Sequence, residues 1–156
     1  MSDGVDMIKV VYDLSKRPKA RSCIVLTHEF PKQKVWAQKL AAINSVSHID
    51  LLDLFASDEN LANNLTSYSP QVLFKFFKTK KESETLIVSG LEFIKSSWSG
   101  NPNAIDQFIA QMETWNQKPA LLFVIQHDQQ LANIKSNRYP QYDFVIDQKD
   151  TYAFTE

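Results

Sequence analysis

The sequence predicts an α/β protein whose parallel sheet of about five strands is covered by helices on both faces. Residues 22–27, 84–89 and 119–125 each contain an unbroken apolar run, which is typical of strands buried on both sides of a parallel sheet. Segments in which apolar residues recur at helical spacing separate these runs. Strands that alternate with helices in this way indicate a parallel sheet covered on both faces.

The predicted elements follow one another without a repeat or a linker. Strands are expected at 22–27, 46–50, 84–89, 119–125 and 142–146. Helices are expected at 7–12, at 31–44, from Ser69-Pro70 and from Asn101-Pro102, with a short helix or loop within 127–137 and an ambiguous stretch at 51–65. The three longer helices are expected to bury Trp36, Leu40 and Ile43; Val72, Leu73, Phe76 and Phe77; and Ile105, Phe108, Ile109 and Met112.

Length and composition limit the class of protein. The 156 residues are expected to form a single domain over 1–156, with 1–20 as an N-terminal extension. Seventeen basic and 18 acidic residues give a net charge of −1, which argues against broad attraction to nucleic acid or to an anionic membrane. The single Cys23 excludes a disulfide scaffold and favours a cytoplasmic protein. We expect no signal peptide and no membrane span.

The turn after the first strand stands where a phosphate-binding loop would lie. Such a loop has the pattern G-x-x-x-x-G-K-[ST], in which the glycines let backbone N–H groups close on phosphate and the hydroxyl holds Mg²⁺. If Lys34 is aligned with the motif lysine, then His28 and Gln33 replace the two glycines, and Val35 replaces the hydroxyl residue. Only the lysine is kept, so the sequence predicts a nucleotide-binding type of fold without nucleotide chemistry.

The third predicted strand lacks the carboxylate that would help to hold Mg²⁺. In nucleotide hydrolases an apolar strand ends in a carboxylate that helps to hold Mg²⁺. Here the strand ends in Ser89, and Glu92 three residues later is the nearest acid that could polarise a water. We therefore expect no NTPase activity, no cofactor and no metal. Weak nucleotide binding through Lys32, Lys34 and Glu92 is the alternative.

The carboxyl edge of the sheet is expected to gather polar and aromatic side chains, because ligands of parallel α/β sheets collect there. The polar residues expected along this edge are His28, Glu29, Glu92, His127 and Asp128. They lack the spacing of metal ligands, and no G-x-S-x-G motif points to a hydrolase. The partner-binding candidates are Phe30, Phe93, Trp98 and His127. Trp98 is expected either as an exposed anchor or folded back over the sheet.

A basic stretch interleaved with phenylalanines covers residues 74–81. The lysines Lys75, Lys78, Lys80 and Lys81 offer an alternative function, binding nucleic acid through phosphate contacts and base stacking. An amphipathic helix with a solvated lysine face is the favoured interpretation.

The order of these motifs resembles the small P-loop-containing protein of type-3 BREX phage-defence systems. The resemblance covers most of 20–147 and includes Val88-Ser89-Gly90-Leu91-Glu92-Phe93-Ile94, which matches that family's Walker B spacing with Ser89 in place of Asp, and Pro140-Gln141-Tyr142. It implies a RecA/ASCE-like P-loop fold. A looser resemblance, through Leu26-Thr27, Gln33-Lys34 and Trp36, is to the cell-division inhibitor SulA, and it implies such a fold used to bind another protein.

Together these features predict a non-catalytic protein-interaction component of a bacterial assembly that serves phage defence or DNA processing. The expected partner is another protein of that assembly, and self-association is left open. The alternatives are a weak ATP- or GTP-binding NTPase and a DNA-binding accessory protein that uses the basic helix.

Overall fold

The computed structural model describes residues 4–98, 100–132 and 144–151. Its centre is one five-stranded sheet in which every strand pair is parallel, with the strand order β2-β3-β4-β1-β5. The strands are β1 (Ser22–Thr27), β2 (Ser47–Asp50), β3 (Thr85–Ser89), β4 (Ala120–Gln126) and β5 (Val145–Asp147). This sheet confirms the predicted α/β fold class with about five parallel strands.

Helices cover both faces of the sheet. They are α1 (Met7–Leu14), α2 (Phe30–Asn44), α3 (Leu51–Ser57), α4 (Glu59–Asn63), α5 (Pro70–Lys78), α6 (Glu92–Ser96), α7 (Ala104–Thr114) and α8 (Gln129–Ala132), with 3₁₀ turns at Leu65–Ser67 and Gln148–Asp150. None of the helices in the described parts of the chain has the length and apolar character needed to cross a membrane.

The strands divide their side chains between two cores, because successive residues of a strand point to opposite faces. Cys23 and Val25 face α1 and α2, whereas Ile24 and Leu26 face α3, α5, α6 and α7. The second core is rich in aromatic rings: Phe74, Phe77, Phe108, Trp115 and Phe123 pack with centroids 5.1 to 5.9 Å apart. Burying one such side chain contributes about 2 kcal/mol.

Three predicted buried faces need correction. Helix α2 packs through Ala37, Leu40 and Ala41, whereas Ile43 is 37% exposed, because the small alanines let the helix lie close against the sheet. Helix α5 buries Leu73, Phe74 and Phe77, the i, i+3, i+4, i+7 stripe that begins at Pro70, so the predicted Val72 and Phe76 lie outside the buried stripe. In α7 the fully buried residues are Ala104, Phe108 and Met112, while Ile105 and Ile109 are half-buried.

The two ends of the chain also differ from expectation. Residues 7–14, expected within an extension, form α1 and place Met7, Val11 and Leu14 in the first core. The last strand begins at Val145, and the predicted Pro140-Gln141-Tyr142 segment lies outside the described residues.

Candidate functional site at the carboxyl edge of the sheet

All five strands end at one edge, so the residues that follow them converge there. Register pairs bring Thr27 of β1 opposite Gln126 of β4 and Asp50 of β2 opposite Ser89 of β3. Between β1 and β3 lies β4, so a side chain must reach across one strand to connect the turn after β1 with the turn after β3.

Gln33 makes that connection. It is 2% exposed, and its Nε2 donates to Glu92 Oε2 at 2.7 Å and to Thr27 Oγ1 at 3.4 Å, while its Oε1 accepts the Gly90 N–H at 3.1 Å. Gln33 stands at the second glycine of the phosphate-loop pattern. A glycine would leave this space open, whereas the glutamine side chain fills it and uses the polar groups around it.

Glu92 belongs to the same internal network. Its Oε2 also accepts the backbone N–H of Gln126 at 2.6 Å, and its Oε1 is buried with no partner among the residues that the structure describes. The carboxylate therefore holds α6 against the end of β4 and against α2. Its Oε2 is engaged by Gln33 of the loop and by the end of β4.

Gly90 allows two turns to meet. Its φ is +75°, a region that side-chain-bearing residues rarely adopt. A Cβ on Gly90 would lie 2.9 Å from both Asp50 Oδ1 and the backbone N of Leu52. This close approach brings the end of β3 against the start of α3.

Ser89 replaces the strand-end carboxylate, and its hydroxyl is fully used. The hydroxyl donates to Asp50 Oδ2 at 2.8 Å, so the Nε2–H of His48 is the donor in the 2.8 Å contact with Ser89 Oγ. Burial lowers the pKa of His48 despite the opposing charge of Asp50, which keeps the ring neutral at neutral pH. Because Ser89 is fully buried and its proton is directed to Asp50, this trio joins β2 to β3 and presents no nucleophile.

Both lysines of the loop are paired with carboxylates of the chain. Lys34 Nζ lies 2.6 Å from Asp53 Oδ2, and Lys32 Nζ lies 2.8 Å from Glu29 Oε2. In each case the hydrogen bond to the carboxylate is the main cause that raises the pKa of the lysine, so both stay charged. The two predicted phosphate contacts thus point to different neighbours and do not converge.

The residues at the loop lack the groups that hold a magnesium-bound nucleotide in the P-loop pattern. Gln33 occupies the loop, Val35 offers no hydroxyl, and β3 ends in Ser89. The nearest strand-end carboxylate, Asp50, already accepts hydrogen bonds from Ser89 and from the backbone N–H of Asp53.

The predicted polar cluster is split into separate groups. His28 stacks on His127 with centroids 5.1 Å apart, and its Nε2 lies 2.9 Å from Asp147 Oδ1. Asp128, by contrast, pairs with Lys95 Nζ at 2.7 Å, and Glu29 and Glu92 are engaged as described above. Within the described residues no three acidic, histidine or cysteine side chains are arranged to hold a metal ion.

Asp147, His48 and Asp50 are site residues that the sequence analysis missed. Although burial opposes ionisation, the Lys149 N–H and the His28 ring lower the pKa of Asp147, which favours the ionised carboxylate beside His28. Asp50 and Asp147 are the last residues of β2 and β5. Applying the strand-end rule to all five strands could have found both acids.

The aromatic candidates separate by exposure. Phe30 is 48% exposed, whereas Phe93 is half-buried with its ring 5.3 Å from that of Phe55. Trp98 is 8% exposed, and its Nε1 donates to the Tyr68 carbonyl oxygen at 2.8 Å. The expectation of an exposed Trp98 anchor is therefore wrong: the indole folds back into the core, where its N–H finds a partner.

The basic helix exposes its lysines and buries most of its aromatic rings. Lys75, Lys78 and Lys81 are exposed, and Lys80 Nζ lies 5.0 Å from the centroid of the Phe76 ring. Together with the buried rings of α5, this arrangement leaves the stretch without a broad aromatic face for base stacking.

Comparisons with known proteins do not assign the chain to a family. No protein-family model matches the chain, and no curated protein matches it. Among solved structures, the chain is similar to the replication initiator DnaA bound to AMPPCP and single-stranded DNA, with 11% identity and a TM-score of 0.34. The match covers 94% of this chain and 47% of the other, so the chain spans about half the length of that protein.

Proposed function

We propose that this chain is a non-catalytic protein-interaction component of a bacterial multi-protein assembly that serves phage defence or DNA processing. The observation that carries the proposal is the Gln33 side chain, which fills the loop position where a nucleotide-binding protein needs a glycine. The resemblance of the strand and loop order to the small P-loop-containing protein of type-3 BREX systems supports the choice of assembly.

The hydrogen bonds that Gln33 makes to neighbouring residues support a non-catalytic role. A group that binds a ligand must give up its present partners, and each buried polar group left unpaired costs about 1–3 kcal/mol. Opening the loop would leave the Gly90 N–H unpaired and would remove one of the two donors to Glu92 Oε2, which keeps only the Gln126 N–H. Phosphate contacts would have to replace these bonds without the hydroxyl that normally holds Mg²⁺.

The surface that remains for a partner is formed by His28, Phe30 and His127, which we call the edge surface. All three residues are exposed, the two histidine rings stack on each other, and Phe30 follows His28 by two residues in the chain. Aromatic residues are frequent anchors in protein interfaces, and truncating such an anchor often costs about 2 kcal/mol of binding free energy.

Calorimetry tests the non-catalytic part of the proposal. Titration with Mg²⁺-ATP and with Mg²⁺-GTP is expected to show no binding tighter than about millimolar. Micromolar binding that disappears in Lys34→Ala would contradict the proposal, because it would mean that Lys34 exchanges Asp53 for phosphate.

Partner capture tests the edge surface. The tagged wild-type protein, Phe30→Ala and Tyr12→Ala are compared in their native host. Tyr12 is a matched aromatic control, since it is 64% exposed and lies on α1, away from the edge surface. We expect Phe30→Ala to reduce recovery of an identified partner protein about tenfold and Tyr12→Ala to leave it unchanged. Equal recovery by the wild-type protein and Phe30→Ala would remove the edge surface from the proposal.

A further inference from the structure

A second surface lies on the other side of the fold from α1 and α2. There α5 and α7 enclose a groove of about 390 Å³. Its floor contains Phe74 and Trp115, which are 1% and 5% exposed and pack edge to face with centroids 5.6 Å apart. The floor is therefore part of the core and is rigidly held.

The rim of the groove is positively charged and unneutralised. Lys75 and Lys78 line it, both are exposed, and neither has an ion pair or a hydrogen bond from its ammonium group within the described residues. Lys32, Lys34 and Lys95, by contrast, each pair with a carboxylate. Among the described residues that line the groove, none is acidic. Within the described lining, a negatively charged ligand would therefore meet two unpaired lysines and no carboxylate.

Side-chain amides supply the remaining polar contacts. Gln71 and Gln111, one from each helix, line the groove and have no side-chain hydrogen bond to any described residue. A primary amide both donates and accepts hydrogen bonds, so it matches a peptide group, which also offers one donor and one acceptor. Bases of single-stranded nucleic acid need exposed aromatic faces for stacking, and the rings of this groove are buried. The lining thus favours a peptide over nucleic acid.

We propose that the groove between α5 and α7 binds an extended acidic segment of a partner protein. Lys75 and Lys78 are three residues apart on one helix, which places their Cβ atoms about 5–6 Å apart. Alternate residues of an extended peptide are about 6.5 Å apart, so carboxylates at alternate positions reach both lysines. The proposal does not depend on the edge surface, which lies at the ends of the strands.

Fluorescence anisotropy with the purified full chain tests the proposal. The probe is a short labelled peptide of alternating Glu and Ser, compared with the same peptide carrying Gln in place of Glu and with an oligo-dT of matched length. The charge-reversed variant is Lys75→Glu/Lys78→Glu. Its control is Lys9→Glu/Lys16→Glu, which changes the net charge equally on exposed residues of the opposite face. Circular dichroism of each variant reports folding.

We expect the acidic peptide to bind with salt-dependent affinity, and Lys75→Glu/Lys78→Glu to weaken it about tenfold, as for two solvent-accessible ion pairs. The Lys9→Glu/Lys16→Glu control is expected to bind like the wild-type protein. A second variant, Gln111→Glu, keeps both lysines and the side-chain shape but places a carboxylate in the groove, and it too is expected to weaken binding. Its control is Gln38→Glu on the exposed side of α2.

Three results would overturn the proposal. One is equal binding of the acidic and the Gln-containing peptides. Another is equal weakening by the two charge-reversed double variants, which would indicate a nonspecific charge effect. The third is tight binding of oligo-dT, sensitive to Lys75→Glu/Lys78→Glu, without binding of the acidic peptide. That last result would assign the groove to nucleic acid. None of these results bears on nucleotide binding or on Phe30.

Discussion

Removing the amide of Gln33 is expected to destabilise the protein strongly. In Gln33→Met the side chain keeps its length but can neither donate to Glu92 nor accept from Gly90. The 2.7 Å bond to Glu92 Oε2 involves a charged acceptor, and such bonds contribute about 1.5–3 kcal/mol. The Gly90 N–H would be left unpaired at a cost of about 1–3 kcal/mol. Because methionine regains part of this by apolar packing, we expect the free energy of unfolding to fall by about 3 kcal/mol.

Urea denaturation followed by far-UV circular dichroism measures this loss. With an m-value of about 2 kcal/mol per molar urea, the midpoint should fall by about 1.5 M while m stays unchanged. Gln38→Met is the matched control, because Gln38 lies on the exposed side of the same helix. The control is expected to stay within about 0.5 kcal/mol of the wild-type protein. A Gln33→Met variant as stable as this control would refute the role assigned to the amide.

A pH series separates hydrogen bonding from packing at the same position. Gln33→Glu keeps the shape of the side chain but places a carboxyl group against the carboxylate of Glu92. Burial beside a like charge raises the pKa of the introduced carboxyl in the folded state above its unfolded value of about 4.3. The variant's deficit in stability is therefore present at neutral pH and should shrink as the pH falls toward about 4. A deficit that stays constant over this pH range would mean that packing, and not ionisation, causes the loss of stability.

Three further outcomes are expected from the same denaturation assay. Trp98→Ala should lose about 3–4 kcal/mol of unfolding free energy, because it empties a core position and leaves the Tyr68 carbonyl without its donor. A loss below about 1 kcal/mol would contradict the buried position of Trp98. Gly90→Ala should lose about 2 kcal/mol or more, since φ is +75° and the new methyl group meets the β2–α3 turn. For Asp128, burial opposes ionisation, but the Lys95 ammonium and two backbone N–H groups lower its pKa. Its contribution is thus present above pH about 4 and lost as the pH falls through the lowered pKa, so Asp128→Asn should flatten the acid limb of the stability curve.

The strands and helices could be predicted because they depend on local patterns. Continuous apolar runs identified β1, β3 and β4 to within a residue or two, and Pro31 and Pro70 marked the first turns of their helices. The buried faces were less accurate, because a helix is placed by its best fit to the sheet as well as by its largest side chains. In α2 this favours Ala37 and Ala41 over Ile43.

The sequence predicts the candidate site only at the positions that differ from the P-loop and strand-end patterns. The sequence shows that Gln33 and Ser89 replace expected residues, but not what they do instead. The partners of Gln33 at Gly90 and Glu92 are 57 and 59 residues away along the chain. The burial of Trp98 could not be predicted for the same reason. Its hydrogen-bond acceptor lies 30 residues earlier, in a turn whose position depends on the packed core. Contacts of this range follow from the order of strands, which no local pattern specifies.

The hydrogen bonds already formed at the carboxyl edge limit the binding free energy that a ligand could gain there. Gln33, Ser89 and most of the polar atoms around them are satisfied within the chain, so a ligand at the loop gains little and must first break existing bonds. Phe30 of the edge surface is exposed, and Lys75 and Lys78 have no ion pair within the described residues, so binding there needs no such rearrangement. We therefore expect the protein to act through these outer surfaces and not through the loop after β1.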